Sequence, residues 1–271
     1  MNYLLSYEAL PPEIKAQLTR ITESWKTHAG ESLVGVYLHG SVALGAFQPA
    51  SGDLDVLVVV KDALTIETKL KIAQDLLEID GSPCPVELSA VELSAVKLCD
   101  VQPWRTSGNC VFHYSDFWSE RIEQRLHDPD FNCYVLDREF PDADVTSYIK
   151  LILQCGVTLY GPPPKEIFSE ISDEDFWQGI SADVENYDFH SYKPCYLASN
   201  VLILGRILSF KKERRILSKY EAGLWMIENV PQSLKYLPER AMKIWFEGEA
   251  LDLPEDDLEK LRKYLIAEIR K

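Results

Sequence analysis

Val36-Tyr-Leu-His-Gly-Ser41, followed eleven residues later by Asp53-Leu-Asp55, is the stretch on which the fold prediction depends. Leu33–Leu38 is a short apolar run rich in β-forming residues, and it predicts a strand. Leu54–Val60 consists almost entirely of Leu and Val, a composition typical of a strand buried on both faces. Small residues dominate the segment 40–52 between them, which predicts a loop.

Two carboxylates interrupt the second of these strands at its beginning. Because side chains alternate along a strand, Asp53 and Asp55 are predicted to point to the same face. Burying them side by side costs several kcal/mol unless a cation or hydrogen-bond donors compensate. Mg²⁺ suits such hard oxygen ligands and also binds phosphate. Gly40 would allow backbone N–H groups to approach a phosphate, and Ser41 would add a hydroxyl donor.

A third acid follows in the segment Val86–Val91, which alternates as a strand. Val86, Leu88 and Ala90 share one face, so Glu87 falls on the other. Two roles remain open for this carboxylate, namely ligation of a metal and abstraction of a proton from an attacking hydroxyl.

The two halves of the chain have different patterns. Up to about residue 160 a helix, a strand, a loop, a strand, a helix and a strand alternate, which predicts an α/β (α+β) domain with a mixed sheet. Gly161 and the three prolines that follow form the strongest break, so domains of 1–162 and 163–271 are predicted. The second is predicted to be an all-α helical bundle. Helices are expected at 65–79, 144–159, 173–186, 194–210, 218–229, 233–247 and 255–269.

Composition narrows the class of partner. The 271 residues carry a formal net charge of −15, with 43 acidic and 28 basic side chains. This balance argues against binding to nucleic acid or to anionic membranes and suits a cationic small molecule, although it also simply favours solubility. The six cysteines show no CxxC pair, and we predict reduced thiols in a cytoplasmic protein. A monomer or weak dimer is expected.

The combination of Gly-Ser, Asp-x-Asp and a later strand acid resembles the polymerase-β-type nucleotidyltransferase superfamily. Within it, Val36–Phe47 and Ser51–Val58 resemble the aminoglycoside adenylyltransferases that act on streptomycin and spectinomycin. The resemblance continues over nearly the whole chain in Pro103-Trp-Arg105, Asp142-Ala-Asp144, Val201-Leu-Ile-Leu-Gly-Arg206 and Ser218-Lys-Tyr-Glu-Ala-Gly-Leu-Trp225.

This resemblance implies an enzyme that transfers AMP from ATP to a hydroxyl group of a small acceptor. Asp53 and Asp55 would hold Mg²⁺, with two ions expected, and Glu87 would be the catalytic base and a further metal ligand. Gly40 and Ser41 would contact the nucleotide phosphates. From the second domain the nucleotide would be bound by Arg206, Lys219 and Trp245. For these last three, the alternatives are solvated helix charges and a core tryptophan.

The resemblance also implies positions for the acceptor pocket. Enzymes that accept streptomycin share a tryptophan, which aligns here with Phe117, and an acidic residue, which aligns with Tyr196. Glu185 and Tyr192 complete the predicted pocket. A guanidinium group prefers a carboxylate partner, so we predict weak or no transfer to streptomycin and better transfer to spectinomycin or a different cationic or hydroxylated compound.

Two alternative functions are kept open. The first is adenylylation of a protein or of another metabolite. The second is a nucleotide-binding regulatory module with a vestigial catalytic centre, against which the intact set of acids argues.

Overall fold

The computed structural model describes residues 4–49, 51–81, 89–104, 108–182, 184–187, 194–250 and 252–271. The chain divides into two compact units, which we call the N-terminal unit (Leu4–Ser172) and the C-terminal unit (Asp173–Lys271). The division lies ten residues beyond the predicted boundary at 162/163. The segment after Gly161 packs on the sheet of the N-terminal unit, because the Tyr37 hydroxyl donates to the Pro162 carbonyl and the Tyr37 ring contacts Phe168.

The N-terminal unit is built on a mixed sheet, as predicted. Its described strands are β1 (Leu33–Leu38), β2 (Asp53–Val60), β3 (Ala90–Lys97), β4 (Asn109–Tyr114), β5 (Phe140–Pro141) and β6 (Val157–Tyr160). They lie in the order β5-β4-β3-β2-β1-β6. Only the central pair β2–β3 is parallel among the described pairs, and the other neighbours are antiparallel. The Leu and Val run of β2 occupies the interior of the sheet, which explains its continuous apolar sequence.

Eight helices accompany this sheet in the described part of the unit. They are α1 (Pro12–Ala29), α2 (Gly40–Ala43), α3 (Ile66–Ile79), α4 (Leu98–Val101), α5 (Asp116–His127), α6 (Tyr134–Asp137), α7 (Asp144–Cys155) and α8 (Pro164–Ile167). Trp25 of α1 is fully buried and meets Phe112 of β4 edge to face, with ring centroids 5.4 Å apart. The short helix α2 lies in the segment predicted as a loop.

Polar side chains secure the start of β3. The Gln17 amide of α1 donates to the Ser89 carbonyl at 2.6 Å and accepts from the Ser89 N–H at 3.0 Å, much as a neighbouring strand would. Asp80 accepts from the Val91 N–H at 2.9 Å and from the Tyr114 hydroxyl at 2.9 Å. These bonds hold the register of β3, and a slip of one residue would turn its side chains to the opposite face.

The C-terminal unit is helical, as predicted. It contains α9 (Asp173–Ser181), α10 (Pro194–Glu213), α11 (Lys219–Asn229), α12 (Tyr236–Met242), a π-helical turn (Lys243–Glu247) and α13 (Glu255–Arg270). Helix α10 packs against α11, α12 and α13. Gly205 and Gly223 permit this packing, since a methyl group at either position would collide with Met226 or Met242. Within the described residues, no helix combines the length and the apolar character required to cross a membrane.

Two predicted helices end earlier in the structure than expected. The expected helix 144–159 ends at Cys155, and β6 follows after Gly156. The expected helix 173–186 ends at Ser181, with a separate 3₁₀ turn at Val184–Asn186. In the first case the β-forming segment Val157–Tyr160 pairs with β1, and this tertiary pairing overrides the helical spacing.

Candidate active site

The candidate active site begins with the central parallel strands. In the β2–β3 register Asp55 lies opposite Glu92. Paired residues of neighbouring strands share a face, and Asp53 joins them because it lies two residues before Asp55. Carboxylate oxygens of Asp53, Asp55 and Glu92 all lie within 4.8 Å of one another. Such a cluster of hard oxygen ligands fits a divalent cation.

Glu92 is the acid that the sequence prediction did not select. The predicted third acid, Glu87, lies outside the described residues. The described strand β3 overlaps the expected strand 86–91 only at Ala90 and Val91 and continues to Lys97. Among the described acids it is Glu92 that joins the two aspartates.

The charge state of Glu92 reflects its surroundings. Burial and, after it, the negative charges of Asp53, Asp144 and Asp142 together raise the pKa of Glu92 to about 7, while a hydrogen bond from Tyr148 opposes the shift. Crowded carboxylates of this kind repel one another until a cation or a proton is bound. The electrostatics therefore agree with the geometry, since a divalent cation would be accommodated between the three acids.

Gly40 adjoins this cluster, and Ser41 follows it in the chain. Gly40 has a positive φ of 61°, and a side chain there would collide with the Asp55 carboxylate, so the position requires glycine. The His39 N–H donates to the Asp55 carbonyl at 2.9 Å. The Ser41 hydroxyl oxygen is buried and has no hydrogen-bond partner within the described part of the chain. A buried hydroxyl in this state is suited to receiving a polar ligand group such as a phosphate oxygen.

An aromatic pair lies against the acids. The Tyr148 hydroxyl donates to Glu92 Oε1 at 3.4 Å, and its ring stacks on His39 with a centroid distance of 4.6 Å. Burial raises the pKa of Tyr148 well above its usual value and lowers the pKa of His39 to about 3. Tyr148 is therefore a protonated donor and His39 a neutral ring near pH 7.

A cavity of about 300 Å³ opens beside Glu92 within the N-terminal unit. Aromatic side chains and carboxylates make up most of its lining, which comprises Glu92, His113, Trp118, Tyr134, Val135, Phe140, Pro141, Asp142, Asp144 and Tyr148. Such a lining is suited to a cationic ligand, because the carboxylates attract its charge and the rings contact its face.

Of the predicted acceptor-binding residues, none that the structure describes lines this cavity. Phe117 is 81% exposed and does not line the cavity, whereas the adjacent Trp118 does. The difference arises because neighbouring side chains on a helix point about 100° apart. Tyr196 on α10 is 53% exposed. Glu185 is exposed and pairs with Arg270 of α13 through both carboxylate oxygens, and Tyr192 lies outside the described residues.

Of the three predicted nucleotide-binding residues in the C-terminal unit, two are in contact. The Lys219 ammonium lies over the Trp245 ring, 3.9 Å from its centroid. The Arg206 Nε donates to the Leu217 carbonyl at 2.8 Å, just before Ser218 caps α11. These contacts place a lysine on an aromatic face near the beginning of α11.

Two known family models match this chain, one within the N-terminal unit and one mainly in the C-terminal unit. Residues 18–96 match the family model described as nucleotidyltransferase domain. Residues 166–268 match the model described as aminoglycoside adenylyltransferase, C-terminal domain. The first match covers β1, β2 and most of β3, and the second covers the helices α9 to α13 described above apart from the last residues of α13.

Individual relatives extend over more of the chain. An aminoglycoside (3'') (9) adenylyltransferase of Escherichia coli is 27% identical over 270 residues, covering 97% of this chain and 98% of the relative. A spectinomycin 9-adenylyltransferase of Campylobacter jejuni is 23% identical over 221 residues, covering 81% of both. The crystal structure of a spectinomycin adenyltransferase from Enterococcus faecialis, solved with ATP and spectinomycin, superposes with a TM-score of 0.81 at 20% identity. It covers 95% of this chain and 100% of its own.

Proposed function

We propose that this chain, a nucleotidyltransferase similar to aminoglycoside adenylyltransferases, transfers AMP from ATP to a hydroxyl of a cationic, aminoglycoside-type acceptor. The observation that carries the proposal is the convergence of Asp53, Asp55 and Glu92 beside the buried Ser41 hydroxyl. Acids and a phosphate-binding hydroxyl are what a nucleotidyl transfer requires in one place.

Three carboxylates are proposed to hold Mg²⁺. Asp53, Asp55 and Glu92 supply only oxygen ligands, and their mutual spacing of at most 4.8 Å is compatible with a shared cation or a pair of cations. We propose two ions. When bound, Mg²⁺ would neutralise the triphosphate and polarise its α-phosphate.

The reaction is proposed to follow from the positions of the chain's own groups. Glu92 accepts the proton of the acceptor hydroxyl as its oxygen forms a bond to the α-phosphorus of ATP. The bond from that phosphorus to the bridging oxygen breaks, and pyrophosphate leaves with the electron pair. The buried Ser41 hydroxyl donates a hydrogen bond to a phosphate oxygen. Gly40 allows the backbone to lie close to Asp55.

The acceptor is proposed to occupy the cavity beside Glu92. Asp142 and Asp144 would attract ammonium groups, and Trp118 and Tyr134, stacked at a centroid distance of 6.2 Å, would contact the face of a ring. The relatives named for spectinomycin support an acceptor of this class.

The test is a panel of acceptors incubated with MgATP and analysed by product mass. We expect an AMP adduct on spectinomycin or a related cationic, hydroxylated compound, and little on streptomycin. Adducts on no small molecule, together with AMP on a co-incubated protein, would replace this proposal by protein adenylylation. Binding of ATP without release of pyrophosphate from any acceptor would favour a regulatory module.

Trp118 offers a test of the acceptor cavity. Trp118→Ala should raise the acceptor KM about tenfold, since a cation or ring contact of roughly 1–2 kcal/mol is lost, with little change in the KM for ATP. Phe117→Ala is the matched control, because it removes the adjacent but exposed ring. A larger effect at Phe117 than at Trp118 would show that the acceptor does not enter this cavity.

Lys219 offers a test of the C-terminal unit. We propose that Lys219, with Arg206 and Trp245, binds the nucleotide, so Lys219→Ala should weaken MgATP binding about tenfold, or by about 1.5 kcal/mol. Lys211→Ala is the matched control, since Lys211 also lies over a tryptophan ring, that of Trp177, at 4.9 Å. Equal MgATP affinities of both variants in calorimetry would leave Lys219 as a structural cation.

A further inference from the structure

Tyr148 contacts both the acidic cluster and the segment that leads to Gly40 and Ser41, but the reaction described so far gives it no role. Its hydroxyl reaches Glu92 Oε1 on β3, and its ring stacks on His39, which directly precedes Gly40. One side chain of α7 thus touches the proposed base and the residue that leads into the proposed phosphate-binding segment.

We propose that Tyr148 is a positioning residue that orients the Glu92 carboxylate. The inference rests on the proposed function, in which Glu92 accepts the acceptor's proton. The Tyr148 hydroxyl binds Oε1 and so leaves Oε2 to face the acceptor hydroxyl. No covalent step is assigned to Tyr148, and its hydroxyl keeps its proton throughout.

The need for such a group follows from the flexibility of glutamate. The backbone of Glu92 is held by pairing with Asp55, but the carboxylate can still rotate about its side-chain torsions. A misplacement of about 1 Å at a reacting group can cost on the order of 10²-fold in rate. A donor to one oxygen selects a single orientation of the carboxylate.

The stack on His39 restricts the orientation of the Tyr148 ring. The ring planes of Tyr148 and His39 lie 28° apart, and His39 is buried, with 3% of its surface exposed. A ring held in this way has little freedom to turn its hydroxyl away from Glu92. The distance of 3.4 Å is long for a hydrogen bond, as is common for catalytic contacts before substrate binds.

Tyr148→Phe isolates the hydroxyl, because it keeps the stacked ring. We expect kcat to fall about tenfold, the lower end for loss of a group that orients a catalytic side chain. The KM for the acceptor and the affinity for MgATP should stay within about twofold, since the hydroxyl acts on the transition state rather than on binding. Tyr148→Ala, which also removes the ring, should reduce kcat further.

Tyr37→Phe is the matched control. It removes another buried tyrosine hydroxyl of the same unit, one that donates to the Pro162 carbonyl at 2.9 Å. We expect it to retain the wild-type kcat and to lose as much thermal stability as Tyr148→Phe. A kcat of Tyr148→Phe equal to that of Tyr37→Phe would overturn the inference, as would a raised acceptor KM at unchanged kcat. Wild-type protein that transfers AMP to no acceptor would instead overturn the proposed function, and the inference with it.

Discussion

Glu92→Gln should lower kcat by about 10²–10⁴-fold, because glutamine keeps the shape of the side chain but cannot accept a proton. Glu87→Gln should stay within about twofold of wild type, because this variant keeps Glu92, the base that is aligned with the acceptor hydroxyl. Steady-state rates of pyrophosphate release at saturating ATP and acceptor measure both. The reverse order of effects would show Glu87 to be the base.

The pH dependence provides a second measurement on Glu92. Burial and neighbouring carboxylates raise the pKa of this side chain to about 7, and a base is active only after it has lost its proton. In wild type, kcat/KM should therefore rise with pH through the pKa of Glu92, which bound Mg²⁺ would place below 7 because a cation favours the ionised carboxylate. In Glu92→Gln this rise should be absent. An unchanged profile in that variant would contradict the role as base.

The sequence alone could not show which of the two glutamates lies beside Asp53 and Asp55. Val86-Glu-Leu-Ser-Ala90 and Val91-Glu-Leu-Ser-Ala95 are identical in sequence, so local pattern ranks Glu87 and Glu92 equally. They lie five positions apart, an odd offset that would place them on opposite faces of one continuous strand. Only the pairing of Asp55 with Glu92, a contact across the sheet, distinguishes them. The repeated pentapeptide was nevertheless a signal that two candidates existed.

Features contained within single segments were more predictable. The strand Leu33–Leu38 was predicted with its observed bounds, and β2 begins one residue before the predicted Leu54. Both are apolar runs with clear ends, and Asp53 and Asp55 lie within one of them. Strand β6 was missed because its four residues form an edge strand whose identity depends on pairing with β1.

The cavity was beyond sequence reasoning for a similar reason. Its lining combines β3, β4, α5, α6, β5 and α7, and no local pattern brings these elements together. Asp142 and Asp144 were noted in the sequence as part of a family motif. Their proximity to Glu92 appears only in the folded chain, where their charges contribute to its raised pKa.

Asp53→Asn and Asp55→Asn should each reduce transfer about a thousandfold, the result of losing roughly 4 kcal/mol of stabilisation of charge in the transition state. Each change keeps the size of the side chain but removes one anionic ligand from the cluster of three. The matched control is Asp75→Asn in α3. Asp75 lies outside the site and pairs with Ser24 and His28, so its loss should leave the rate close to wild type.

The same two variants should have the opposite effect on stability when no divalent cation is present. The charge of Asp53 raises the pKa of Glu92, which means that the ionised forms repel each other. Asp53→Asn removes this repulsion, and its Tm in EDTA near pH 8, where Glu92 is largely ionised, should exceed that of wild type. Addition of Mg²⁺ should raise the Tm of wild type more than that of either variant. Retention of more than a few per cent of activity in both variants, with normal stabilisation by Mg²⁺, would remove the cluster from the mechanism, because a site that loses a ligand without consequence does not hold the catalytic metal.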